Sequence, residues 1–296
     1  MLSIVICSIN PDLARQVSAN IGETVGIPFE LLIYNNKELN LGITAVYELG
    51  TQQARYPFLC FVHEDVAFTT ANWGRRLLQY FEDRPGAGAI GVAGARYKSR
   101  TPSGWHTSVA NFDFVNISHH NGKTVELHKE PEDCIDPLVP VVSLDGVFIC
   151  TTKENLKQIP WDAVNLKHFH LYDIDISTRL FLAGKANYVT FEIQIVHFTQ
   201  GGAFSNDWVR ESISWHTRMA TQLPAFTSDL NLEMPQIKKL EKSVAKTWLL
   251  FLRGWPIQKH LKINWLVAAS MWRKPALWPA VFLFLFRIKL KSSAPK

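Results

Sequence analysis

The chain has 296 residues, 47% of them hydrophobic and 19% charged, with a net charge of +5. This is ordinary globular composition, enough for one large or two small domains and for a core without cross-links, so a disulfide-stapled miniature domain is excluded. The four cysteines, Cys7, Cys60, Cys134 and Cys150, show no CxxC or Cys/His metal spacing and are expected as free thiols in a reducing compartment.

The first ten residues, MLSIVICSIN, carry no basic leader and run directly into an apolar strand. A secretory signal is therefore not expected, and the expected location is the cytoplasm. Asn10-Pro11-Asp12 reads as a turn and helix start, since proline suits the first helical turn. FELLIYNN is a second apolar strand that ends in polar residues. Ile43 to Gln53 has helical spacing, with Ile43, Val46, Tyr47 and Gly50 on one face. FLCFVHED is a third strand, stopping at His63, Glu64 and Asp65. Trp73 to Phe81 is amphipathic, and AIGVAG is a fourth apolar run. Residues 95 to 137 read as a long irregular loop or a small excursion over the sheet. LVPVVSLDGVFICT returns to strand character around a turn at Asp145-Gly146. HLYDIDISTRLFLAG opens a helix, and ANYVTFEIQIVHF supplies one or two more strands before Gly201-Gly202. Strands alternating with helices predict an α/β fold with a mostly parallel sheet flanked by helices. Ligands of such sheets bind beyond the carboxyl ends of the strands.

Four polar groups fall at such ends or turns. Glu64 and Asp65 close an apolar strand, and hard carboxylate oxygens there suit Mg²⁺ or Mn²⁺ shared with a substrate phosphate. A solvated strand terminus has the same look. Asp173 and Asp175 open a helix, where acids serve either as caps and dipole partners or as a general base. His197 follows a strand and is a candidate transition-metal ligand or a satisfied structural residue. Asp145-Gly146 is a turn where the glycine permits close approach of backbone and ligand.

Their order along the chain is acid pair, Asp-Gly turn, second acid pair, histidine. This order resembles the GT-A glycosyltransferases of family 2. NLGITAVYELGTQQARYPFLCFVHEDVAF resembles in particular the subgroup named after a streptomycin-biosynthesis protein. The resemblance covers roughly residues 1 to 220. It implies a GT-A fold and an enzyme that moves a sugar from a nucleotide-diphospho-sugar, UDP-linked among the options, to a hydroxyl of a glycan or lipid-linked acceptor, with inversion. It also implies Mn²⁺ or Mg²⁺ as cofactor. By the same resemblance, Asp65 matches the metal-binding acid and His197 the late metal histidine. Glu64 stands beside the ribose or the metal's waters, with Ser8, Asn35 and Asn36 around the nucleoside. Asp145 and Gly146 line the acceptor side. Asp173 matches the catalytic base, with Asp175 as its helix-start companion. The chain departs from the pattern at four places. His63 occupies the place of the first acid of the metal motif, and Tyr172 replaces a glutamate before the base. Asn35-Asn36 replaces a common acid pair, and Glu48 stands where the subgroup often has asparagine. These departures keep a non-catalytic GT-A-like binding or scaffold protein open as an alternative. A nucleotidyltransferase on a similar sheet is the other, although CSINPDLARQ matches its glycine- and basic-rich phosphate loop poorly.

Residues 221 to 296 are expected to form a helical basic and aromatic extension. From Gln236 onward there are 13 Lys/Arg against the single acid Glu241, which leaves −7 on the rest of the chain. Five of the ten tryptophans lie there. The apolar stretch Ala276 to Phe286 is well short of the ~20 residues a spanning helix needs. Tryptophan beside basic residues is typical of helices lying in a membrane interface, so peripheral contact with the inner face of the cell membrane is expected. Packing onto the catalytic domain, or a homodimer contact, would use the same apolar face. No nucleic-acid recognition motif accompanies the charge.

Overall fold

The computed structural model describes residues 1–120, 124–131, 136–198 and 204–291. Cys134 and the Gly201-Gly202 pair lie outside the described residues.

The strand Leu2–Ser8 sends alternate side chains to opposite faces, as the pleat requires. Leu2, Ile4 and Ile6 join one apolar layer with Val17 and Ile21 of the helix Pro11–Thr24 and Trp73 of the helix Trp73–Asp83. Val5 joins the other layer with Ile43 and Tyr47 of the helix Ile43–Gln53 and Ile176 of the helix Tyr172–Leu182. Asn10 caps the first helix, its side chain accepting from the backbone N–H of Asp12 at 3.0 Å.

The central sheet has seven strands in the order Leu138–Val141, Ala186–Thr190, Ala87–Gly91, Phe148–Thr152, Phe58–His63, Leu2–Ser8, Phe29–Asn35. Five run in one direction, while Phe148–Thr152 and Leu138–Val141 run against them. The mostly parallel sheet flanked by helices is therefore present, with two antiparallel strands. Cys60 and Cys150 face each other in register across neighbouring strands and are buried free thiols, and Cys7 is also free.

A second sheet of six strands carries Ser143–Leu144, Ala93–Ala95, Asp113–His120, Ile195–His197 and Val66–Phe68 in that order, with Thr124–Lys129 paired to Asp113–His120. The expected irregular stretch from 95 to 137 thus contains a hairpin belonging to this sheet. Its polar residues hid it. Asp113, Asn116 and Ser118 are buried strand positions. Asp113 accepts from Thr107 N and Oγ1, both at 2.8 Å, and from Ser108 N at 2.6 Å. Asn116 Nδ2 donates to Ile193 O at 3.0 Å. Buried polar groups satisfied in this way break the apolar alternation by which strands are read.

The extension is helical over Met234–Gly254, Lys259–Ala268 and Trp278–Lys291. It packs against the first part of the chain. Trp248, Leu249, Leu252, Leu261 and Trp265 share an apolar cluster with Val142, Leu166, Ile174, Trp208 and Trp215. Trp208 and Trp248 stack with ring centroids 5.0 Å apart. Trp265 Nε1 donates to Pro102 O at 2.8 Å. Trp272, Trp278, Phe282 and Phe286 remain exposed. No described helix is long and apolar enough to cross a membrane.

Candidate active site

Three parallel strands end side by side at one edge of the central sheet. Their register sets Ser8 opposite Asn35 and Cys7 opposite His63. Ser8, Asn35 and the His63-Glu64-Asp65 run therefore share that edge. Glu64 is fixed there: its Oε2 accepts from Ser8 Oγ at 2.5 Å, Asn10 N at 3.0 Å and Ile9 N at 3.2 Å. Asn35 Nδ2 donates to Glu38 Oε1 at 2.6 Å. Asn36 is buried, and its amide bonds the backbone of Leu41 in both directions, at 2.9 and 3.1 Å. That amide is committed to the turn after the second strand. Glu48 lies on the helix Ile43–Gln53 and accepts from Gln52 at 3.0 Å.

Asp65 lies just past the third strand. His197 ends Ile195–His197, whose antiparallel register with Val66–Phe68 sets His197 opposite Val66. The backbone N–H of Phe198 donates to Asp65 O at 2.8 Å. These pairings bring residues far apart in sequence together. Asp65 Oδ2 is 3.2 Å from His197 Nε2, and Asp65 Oδ1 is 3.9 Å from His63 Nδ1. Ligand atoms of His63, Asp65 and His197 all lie within 4.8 Å of one another. One carboxylate and two imidazoles in that span form a donor set that fits a divalent metal ion. His63 was not expected as a ligand. Its signal was its place two residues before Asp65, where the family pattern has an acid. His119 lies beside His197, with ring centroids 5.3 Å apart.

The helix Tyr172–Leu182 begins after Leu171, whose φ of 62° is left-handed and costly for a side chain of its size. Its first turn meets the Asp145-Gly146 turn. Asp173 Oδ2 accepts from Gly146 N at 3.1 Å, and Tyr172 Oη donates to Gly146 O at 3.1 Å. A Cβ on Gly146 would come within 2.1 Å of the Tyr172 hydroxyl, so a side chain there would displace the tyrosine. The same hydroxyl lies 2.6 Å from His63 Nε2. With the tyrosine proton on Gly146 O, His63 donates from Nε2 and keeps a lone pair on Nδ1, the nitrogen that faces Asp65. Two departures from the family pattern, His63 and Tyr172, are thus hydrogen-bonded partners. Asp145 sits in this turn, its Oδ1 accepting from Val147 N at 2.9 Å.

The two acids of the helix start separate. Burial, then the charge of Asp145, pushes the Asp173 carboxyl up to about 7. Asp175 is 3% exposed and faces inward. Its Oδ2 pairs with Arg179 at 2.6 Å, and its Oδ1 accepts from Trp215 Nε1 at 2.9 Å. It ties two helices together, and neither of these bonds reaches the Asp145-Gly146 turn. At the histidine cluster, burial lowers His63 below the usual histidine range, opposed by the charge of Asp65. Burial also pulls on His197, but its hydrogen bond and attraction to Asp65 outweigh this and hold it above that range. Burial likewise opposes ionisation of Asp65, yet His197 and then His63 hold its carboxyl below the usual carboxylate range.

Comparison with known proteins identifies this architecture. Residues 3–214 match the family described as Glycosyltransferase like family. No match is found among curated protein sequences. Among solved structures, the chain is similar to S. aureus TarS 1-349 at a TM-score of 0.53 and 11% identity, covering 90% of this chain and 78% of that one. The same protein in complex with UDP-GlcNAc gives a TM-score of 0.54 at 10% identity, covering 90% and 79%. GalNAc-T7 crystallised with UDP, GalNAc and Mn²⁺ gives a TM-score of 0.50 at 11% identity, covering 82% of this chain and 55% of that one. The chain thus spans little more than half of GalNAc-T7. Identities this low carry the fold alone. The family match extends over well more than half of the sequence and agrees with that fold, so the chain belongs to the Glycosyltransferase like family and has the fold of the GT-A glycosyltransferases.

Proposed function

We propose that this glycosyltransferase-family enzyme moves a sugar from a nucleotide-diphospho-sugar to an acceptor hydroxyl, with His63, Asp65 and His197 as metal ligands and Asp173 as general base. One observation carries the reading: three ligand atoms within 4.8 Å of one another at the strand edge, linked through Tyr172 and Gly146 to a carboxylate raised to about 7. Imidazole nitrogens suit Mn²⁺ better than Mg²⁺, which prefers an all-oxygen octahedron. An ion held by His63, Asp65 and His197 would supply the charge that offsets the departing nucleoside diphosphate.

The remaining work falls to the chain's own residues. Glu64, held by Ser8 and the backbone after it, presents a rigid edge to the nucleoside, with Asn35 on the neighbouring strand. Asp173 accepts the proton of the acceptor hydroxyl while that oxygen bonds to the anomeric carbon and the bond to the diphosphate breaks. Attack from the face opposite the leaving group inverts the centre. A base with a pKa near the working pH is well matched to this step. UDP is the first nucleotide to test, because the TarS and GalNAc-T7 structures contain it. The subgroup resemblance is supported by FVHEDV and the preceding helix.

For the acceptor, a cleft of about 630 Å³ lined by Trp105, His106, Ser108, Asn111 and Lys129 supports a glycan or lipid-linked glycan. Ser143 Oγ donates to Trp105 O at 3.1 Å, tying this cleft to the strand that leads into Asp145 and Gly146. The extension is proposed to meet an anionic membrane surface, supported by its charge and by exposed Trp272, Trp278 and Phe282. The activity is tested by incubating the protein with a panel of nucleotide sugars and Mn²⁺. Release of one nucleoside diphosphate, lost in Asp173→Asn, is expected. Equal release from Asp173→Asn would remove the base assignment.

A further inference from the structure

A cleft of about 560 Å³ opens between the extension and the 100–101 loop, away from the catalytic turn. Arg100, Lys238, Lys242, Arg273 and Lys274 line it, against a single acid, Glu241. That acid is already engaged: its Oε1 accepts from Tyr97 Oη at 2.7 Å and Arg100 N at 3.1 Å. Lys238, Lys242 and Arg273 have no ion pair among the described residues. Like charges gathered around one concavity create a positive potential that favours an anion.

Clustered cations suit a phosphate, which accepts several charge-assisted bonds at once.

The surroundings favour a phosphate attached to a lipid. Met234, Ile237 and Pro275 give the cleft apolar walls. Exposed Trp272 lies beside Arg273, and exposed Trp278 follows Ala276 at the cleft's edge. The exposed side of the last helix continues with Phe282, Leu283, Leu285 and Phe286. Tryptophan at such a margin is suited to the headgroup level of a bilayer. We propose that this cleft is a binding site for the phosphate headgroup of a membrane lipid, with the lipid chains alongside exposed Trp278, Phe282, Leu283, Leu285 and Phe286. The inference rests on the membrane reading of the extension and is independent of the transferase chemistry.

The test is co-sedimentation of the full chain with phosphatidylcholine vesicles, with or without phosphatidylglycerol. Wild type is expected to bind only the vesicles containing phosphatidylglycerol. Lys238→Gln/Lys242→Gln/Arg273→Gln should weaken binding on the order of 100-fold, three cations at a charged leaflet. Lys246→Gln/Arg253→Gln/Lys259→Gln removes equal charge from the same extension outside the cleft. It should weaken binding by about fivefold at most, the effect of a single cation. Equal losses in the two triple variants would overturn the cleft and leave a diffuse membrane contact. Saturable calorimetric binding of inorganic pyrophosphate without vesicle binding would overturn the lipid in favour of a soluble anion. Absence of both would overturn the site and the membrane reading together.

Discussion

His63 and Tyr172 carry the clearest lesson at the scale of single residues. Each departs from the family pattern, and the departures meet at 2.6 Å. Tyr172→Phe should leave the helix in place but free the His63 ring. Losing a hydrogen bond behind a metal ligand typically costs about 10- to 100-fold in metal affinity, so a Mn²⁺ activation curve should move to higher concentration by that factor. An unmoved curve would take Tyr172 out of the centre. Asp173→Asn keeps the shape and loses the proton acceptor, so transfer should fall by about 10²-fold or more with donor binding retained. The carboxyl is raised to about 7, so it is protonated below that pH and serves as a base above it. The rate should therefore fall as pH drops through about 7. Burial sets most of that shift and Asp145 adds to it. Asp145→Asn should accordingly move the acid limb of kcat/KM to lower pH, and an unchanged limb would separate Asp145 from the base. Asp175→Asn breaks a buried ion pair, a change that costs about 3–5 kcal/mol of stability. Urea unfolding should show that loss while the folded fraction keeps its rate. A folded Asp175→Asn variant with the full rate loss would move the base one step along the helix.

Among the elements, the Asp145-Gly146 turn does the joining. It presents Gly146 N to Asp173 and Gly146 O to Tyr172. Gly146→Ala should displace Tyr172 and disturb base and metal centre together, seen as a joint fall in rate and Mn²⁺ affinity. Retention of either would show that the turn can yield independently. The strand-helix alternation up to the third strand was legible because those strands are apolar runs closed by polar residues, whereas AIGVAG reads as one run and is divided between two sheets, Ala87–Gly91 and Ala93–Ala95. The Asp113–His120 strand was not, because its buried positions carry Asp113, Asn116 and Ser118, of which Asp113 and Asn116 bond to loops elsewhere. The approach of Asp65 and His197 was expected from the family order alone. The register that produces it, His197 opposite Val66, is a long-range pairing with no local signature. His63 was visible as a residue in the right place and passed over because its type was unexpected. The separation of Asp173 from Asp175 depends on Arg179 and Trp215 taking the second acid. The Arg179 partner lies one helical turn on, and the Trp215 partner is remote in sequence.

For the whole molecule, the extension is both part of the core and a surface. Trp248 and Trp265 are fully buried in the cluster shared with Val142, Trp208 and Trp215. Ending the chain near Pro235 would expose that cluster, so such a truncation should aggregate rather than report on membrane contact. Trp248→Ala should cost about 3–5 kcal/mol, the usual scale for a buried aromatic, read from the shift in the urea midpoint. A shift near zero would detach the extension from the fold. The catalytic reading is tested most directly by thermal unfolding with UDP and other nucleoside diphosphates, with and without Mn²⁺, in wild type and Asp65→Ala. One nucleoside diphosphate should raise the midpoint only when Mn²⁺ is present, and Asp65→Ala should abolish that rise. Stabilisation that needs no metal, or that survives Asp65→Ala, would contradict a nucleotide-sugar site built on His63, Asp65 and His197.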